Sequence, residues 1–213
     1  MNFVCVDNLI KESEEHTMQY DYNLLMFING WAGHIAWLDR LMILISKYGP
    51  LLFCAYLVFL WFSGASEEES EQNRRRALYA AFSALLAMGI TESIGAMWHR
   101  NRPYYDWPVQ RLLPMSPSAS FPSGHATGGF AIAGSVILGQ RSGSVLMTVF
   151  AVLMALSRVY TGVHYPSDVI AGMAVGILSS YLVERYKFLL ERPIALALSM
   201  WHQVETRVPM LRG

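Results

Sequence analysis

The chain has 213 residues, 54% of them hydrophobic and 15% charged, with a mean hydropathy of +0.30, a balance that excludes an ordinary water-soluble domain. Sixteen basic residues against sixteen acidic ones leave no net charge, and so no bulk field to hold nucleic acid. The two cysteines, Cys5 and Cys54, match no metal or redox spacing and read as structural or incidental.

Residues 1–20 carry Lys11, Glu12, Glu14 and Glu15 and no apolar core, which predicts insertion through the chain's own spans rather than a cleaved leader. Residues 1–22 are expected to form a cytoplasmic or interfacial segment. A hydrophobic segment at 23–38 follows, interrupted by Asn29, Gly30, Gly33 and His34; it either spans the bilayer or lies along its inner surface. Stronger segments run over 42–63, 77–98, 124–140, 144–160 and 167–183. Crossing the hydrocarbon core takes roughly 20 apolar residues, about 17 at the short end. The expected architecture is an all-α, polytopic membrane bundle of six transmembrane helices in a single domain, 1–213, with 193–213 as a tail helix on the membrane surface. The acidic stretch SEEESEQN at 66–73 is expected to be a solvated loop.

The basic residues orient the bundle. Arg74, Arg75 and Arg76, then Arg141, then Arg185, Lys187 and Arg192 fall on one side if the spans alternate, and that side is cytoplasmic by the distribution of Lys and Arg. The opposite side receives the loops 99–123 and 158–166, which contain Arg100, Arg102, Arg111 and Arg158. Arginines on the side that should be poor in them point to anion binding.

Three stretches converge on this outer side: HRNRPYY at 99–105, FPSGH at 121–125 and SRVYTGVHYPSD at 157–168. Pro122 and Ser123 suit a helix start, and Gly124 lets a ligand approach the backbone. The free amides of that first turn, with the Ser123 hydroxyl, suit a phosphate, and His125 follows directly. Pro166 suits the first turn of the last span. Asp168 lies four positions after His164, so its carboxylate can reach back, fix the imidazole tautomer and leave the other ring nitrogen free to attack. Two histidines with arginines beside a helix start suggest phosphoryl transfer, with one imidazole attacking phosphorus and the other protonating the departing oxygen. No carboxylate cluster suited to Mg²⁺ lies nearby in the sequence, so no metal or other cofactor is expected.

The motifs Arg102-Pro103, then Pro122 to His125, then Ser157-Arg158 with five residues before His164 and three more before Asp168 resemble the type 2 phosphatidic acid phosphatase family. The resemblance covers about residues 92–172 in motifs and implies a six-helix membrane fold and a phosphohistidine intermediate. Carried over, it makes His164 the nucleophile, Asp168 its orienting partner and His125 the general acid, with Arg102, Ser123, Gly124 and Arg158 as the phosphate clamp. One position departs from the pattern: where the family has a lysine seven residues before the arginine, this chain has Gly95. Arg100 or His99 could supply charge from the same loop, and such a gap also resembles bacterial phosphatases of the bacitracin-resistance type. Glu92, a carboxylate inside the 77–98 segment, either takes part in binding a lipid diphosphate or makes a polar contact between helices.

A site just outside the ends of membrane helices suits a headgroup whose tails stay in the bilayer. The expected substrate is therefore a lipid phosphate or diphosphate; the outer-face site together with the resemblance to the bacitracin-resistance type implies undecaprenyl diphosphate first, then phosphatidic acid or phosphatidylglycerophosphate. The expected place is the bacterial plasma membrane, multi-pass, with the site on the outer face. A lipid-binding or transport protein on the same fold would not need the His164–Asp168 pair, and a vanadate haloperoxidase is disfavoured by the spans. Gly124/Gly128 and Gly172/Gly176 have the spacing of close helix packing, and Tyr104, Tyr105 and Trp107 suit an interfacial belt. His34 and His202 read as packing or interfacial residues.

Overall fold

A computed structural model describes residues 18–140 and 142–207; the expectations for residues 1–17, Arg141 and 208–213 lie outside it. Helix α1 covers 18–29. It is followed by α2 (Ala36–Phe62), α3 (Glu67–Met97), the single turn α4 (Pro103–Asp106), α5 (Gly124–Leu138), α6 (Ser144–Tyr160), α7 (Pro166–Arg185) and α8 (Glu191–Arg207). No strand occurs among the described residues. Helices α2, α3 and α7 are long and apolar enough to cross a membrane, whereas α5 and α6 are shorter apolar helices. Their outward faces carry exposed Leu52 and Phe59 on α2, Val145 and Val149 on α6 and Ile170 and Ile177 on α7, side chains that lipid rather than water can accommodate.

Two expectations are corrected. The apolar stretch 23–38 does not form one helix. The Asn29 amide nitrogen donates to the Gln110 and Tyr160 carbonyls at 2.8 Å each, and Gly33 turns at φ +83 with its amide on Asp39. The chain is thereby folded back, and α2 begins at Ala36, ahead of the expected residue 42. Nor is 66–73 a loop. Ser66 caps α3 by accepting from the Glu69 amide at 3.2 Å, the Glu69 carboxylate takes the Ala65 amide at 2.9 Å, and three glutamates sit at the positive end of the helix dipole.

Helix α5 lies at the centre, packed on α7, α3 and α6. Small residues permit the closest of these approaches. A Cβ added at Gly172 would stand 2.6 Å from the Ser123 carbonyl oxygen, and one at Gly176 2.5 Å from that of Thr127, so α7 lies against the α5 backbone itself. The main core joins Phe53 and Leu60 of α2, Ala80 of α3, Phe130 and Val136 of α5, and Met154 of α6.

The basic end of the bundle is held by ion pairs. Arg74 is buried and meets Glu205 of α8 at 2.5 Å while Arg76 bonds both Glu184 and the Ser135 carbonyl. Helix α8 therefore packs Ile194 and Leu198 against Tyr79 and Val183, with Leu196, Met200 and Val204 on its open face. The 99–123 loop and the α6–α7 turn lie at the opposite end of the same helices, which is where the motif residues collect.

Candidate active site

The loop after α3 brings Arg102 to the end of the bundle, where it precedes Pro103 at the first position of α4. Its guanidinium is buried, donating to the Ser118 carbonyl and hydroxyl (3.1 and 2.9 Å) and to the Val163 carbonyl (3.0 Å). Arg102 Nη1 also lies 3.2 Å from His164 Nε2. A guanidinium can only donate, so Nε2 accepts and the His164 proton resides on Nδ1. That proton faces Asp168 Oδ2 at 3.4 Å. Oδ2 also accepts from Ser120 Oγ (2.5 Å) and the Tyr165 amide (2.9 Å). The tautomer places a lone pair on Nε2, the unprotonated state a nucleophile requires, and Arg102 is the group that bonds it.

His164 and Asp168 sit where they do because of the turn between α6 and α7. Gly162 has φ +72, a conformation that suits glycine, and Pro166 opens α7 with Asp168 two residues later in its first turn. Asp168 is fully buried and His164 nearly so. Burial pulls the His164 imidazole down from its ordinary 6.5 to about 4, opposed by its bond to Asp168 and reinforced by the charges of Arg158 and Arg102. The ring is neutral at physiological pH.

Ser123 caps the start of α5, yet its hydroxyl makes no capping bond; it is buried and without a partner. Thr127 is the first residue of α5 to bond back to Ser123, so the amides of Gly124, His125 and Ala126 are left over at the positive end of the helix. Arg158, in the last turn of α6, donates to Ser46 Oγ of α2 at 2.6 Å and leaves its buried Nε unpartnered. Among the described residues no carboxylate lies within 4.0 Å of either Arg102 or Arg158, in contrast to Arg74, Arg75, Arg76 and Arg100. Two buried cations without counter-ions are costly unless an anion joins them.

Arg102, Ser118, Gly124, His125, Arg158 and His164 line one end of a single cavity of about 750 Å³. The rest of its wall is largely apolar, with Phe53, Ala84, Met88, Ile132 and Met154. Along α3 the lining runs from Ala96 back to Ala84, about 18 Å at the helical rise. A charged headgroup at one end and a hydrocarbon chain along the groove fit that division. Glu92 and Gly95 belong to this α3 wall, and His99 lines the cavity from the loop that follows the helix. A Cβ at Gly95 would meet the Ala119 Cβ and the Phe121 carbonyl oxygen at 3.5 Å each, ordinary contact distances that call for no displacement of either. Arg100 does not line the cavity; it lies behind Asp168. Ser46, Ser118, Ser120 and Asp21 were not anticipated, because each meets its partner across a long stretch of chain and none belongs to a motif. Among the described residues, no three of His, Cys, Asp or Glu converge as metal ligands.

The model of the PAP2 superfamily matches residues 76–192. The chain is 28% identical over 184 residues to undecaprenyl-diphosphatase BcrC of Bacillus subtilis, covering 86% of this chain and 93% of that protein. Its fold is similar to Aquifex aeolicus LpxE, with a TM-score of 0.65 at 24% identity over 78% of this chain and 94% of the other. It is also similar to the transmembrane PAP2-type phosphatidylglycerolphosphate phosphatase of Bacillus subtilis, with a TM-score of 0.57 at 23% identity, covering 81% and 86% respectively. The matched interval holds every motif residue of the cavity and more than half of the chain, which belongs to the PAP2 superfamily.

Proposed function

We propose that this membrane phosphatase removes the terminal phosphate of undecaprenyl diphosphate, without a metal ion, at the outer face of the bacterial plasma membrane. The observation that carries the reading is the pairing of two buried, carboxylate-free guanidinium groups with the His164 Nε2 lone pair at one end of a long apolar groove. The similarity to a protein named undecaprenyl-diphosphatase over most of both chains supports the substrate.

The terminal phosphate lies against Arg102, Arg158, the Ser123 hydroxyl and the first amides of α5. His164 Nε2 attacks phosphorus, the bond from phosphorus to the bridging oxygen breaks, and His125, protonated in the complex where the phosphate offsets the charges of Arg158 and Arg102, gives that oxygen its proton, releasing undecaprenyl phosphate. Asp168 stabilises the positive charge that forms on the His164 ring. Water then attacks the phosphohistidine, passing a proton to His125, and inorganic phosphate leaves with His164 restored. Charge on the three equatorial oxygens is met throughout by the two guanidinium groups and the helix amides.

The test is phosphate release by purified protein in detergent with EDTA present, from undecaprenyl diphosphate and phosphatidic acid side by side. The expected result is turnover unaffected by EDTA and higher kcat/KM for the prenyl diphosphate. Preference for phosphatidic acid would replace the substrate assignment, loss of activity in EDTA would overturn the metal-free mechanism, and binding without release from either lipid would make the protein a carrier.

A further inference from the structure

Behind the nucleophile, on the side away from the cavity, a row of three charges connects α7 to α1. Asp168 turns Oδ2 toward His164 and presents Oδ1 to Arg100 Nη1 at 2.7 Å. The same Nη1 reaches Ser167 Oγ at 2.7 Å, and Nη2 donates to Asp21 Oδ2 at 2.7 Å. Asp21, buried on α1, also accepts from the Ser167 amide at 2.9 Å and from the Ser167 hydroxyl, so it grips the first turn of α7 directly. The Arg100 guanidinium carbon lies over the Tyr165 ring, 3.9 Å from its centroid.

We propose that Arg100 and Asp21 are positioning residues, which hold the Asp168 carboxylate in the plane that keeps Oδ2 on His164 Nδ1, and that α1 is thereby a working part of the site. The inference rests on His164 being the nucleophile. A carboxylate attached through a broad torsion has no preferred plane of its own. Three donors fix it here: Ser120 and the Tyr165 amide on Oδ2, and Arg100 on Oδ1. The planar guanidinium suits this because one fork can hold two carboxylates at a set angle, which an ammonium cannot. Asp21 has an electrostatic part as well. Arg100 alone would neutralise Asp168 and weaken its hold on a protonated His164; with Asp21 the row keeps a net charge of −1 behind the imidazole. The charges facing His164 from elsewhere are Arg102, Arg158 and, when protonated, His125.

The test combines the His164 imidazole titration, read by NMR on ¹⁵N-histidine-labelled protein in detergent and assigned by loss of the signal in His164→Gln, with lipid phosphate release. In Arg100→Met the row gains negative charge, so the titration midpoint is expected to move up by about one pH unit. In the same variant kcat should fall by about 10²-fold, with KM within about twofold of wild type, since no direct substrate contact is removed. Asp21→Asn should lower kcat without raising the midpoint. Arg100→Lys, which keeps the charge but not the fork, should leave the midpoint in place and recover only part of kcat. A purely structural role would move Arg100→Met and Asp21→Asn alike. The proposal is overturned if kcat stays at the wild-type value in both, if KM rises while kcat holds, or if both shift the midpoint in the same direction. Should Arg100→Met not fold, Arg100→Lys and Asp21→Asn decide the matter by the same criteria. Absence of phosphate release by the wild-type protein would overturn the proposed function instead, and the titrations would still decide the positioning role.

Discussion

His164→Ala lowers lipid phosphate release at least about 10⁴-fold, while affinity for the lipid phosphate stays close to wild type. In the proposed mechanism the two effects separate because His164 Nε2 contributes the attacking electron pair, whereas Arg102, Arg158 and the start of α5 hold the anion. Removing a nucleophile from an assembled site leaves only the catalysis its binding groups supply, and measured losses of this kind run from about 10⁴ upwards. Binding is read by retention of the variant on vesicles containing the lipid diphosphate, turnover by phosphate release. Wild-type turnover in this variant would remove His164 from the mechanism. A fall in binding equal to the fall in rate would make it a substrate ligand rather than a nucleophile.

Arg158→Met lowers kcat/KM by about 10²–10³-fold, the magnitude found when one preorganised charge-stabilising donor is removed. The same change leaves thermal stability at or above the wild-type value. Its physical basis is that Arg158 is buried, has no carboxylate partner and leaves Nε unbonded, so the folded protein holds a charge that no group of its own compensates. Methionine fills a similar volume without that cost, and Ser46, which loses its partner, can turn its hydroxyl to the α2 backbone. A thermal unfolding scan in detergent beside the rate measurement decides the point. A large loss of stability would mean that Arg158 serves the fold; unchanged activity would remove it from the phosphate site.

The geometry of the candidate site was legible in the sequence because its residues come in short motifs whose spacing acts locally. His164 and Asp168 meet across a single turn, and Pro166 and Gly124 announce the helix starts that orient them. The bundle was legible for a similar reason, as apolar length alone marks α2, α3 and α7. The remainder depends on contacts that no local pattern reveals. Arg100 is one of several arginines on the outer side, and only the fold turns it away from the cavity onto Asp21 and Asp168, 79 and 68 positions distant. Ser46 reaches Arg158 across 112 positions. The interruptions at Asn29, Gly30 and Gly33 were visible, but the reason α1 ends there, an asparagine bonding to the 99–123 loop and the end of α6, required that loop to be in place. The acidic start of α3 misleads because composition suggests a loop where the Ser66 cap and the helix dipole favour a helix.

The central claim is that the phosphate passes through His164. The most direct measurement is rapid quenching of the purified protein with undecaprenyl diphosphate labelled in its terminal phosphate, followed by peptide mapping. Label is expected on His164, labile to acid and stable to alkali as a phosphohistidine is, forming at least as fast as turnover and lacking in His164→Ala. Label on another residue, or full turnover with no labelled protein at any time point, would contradict it.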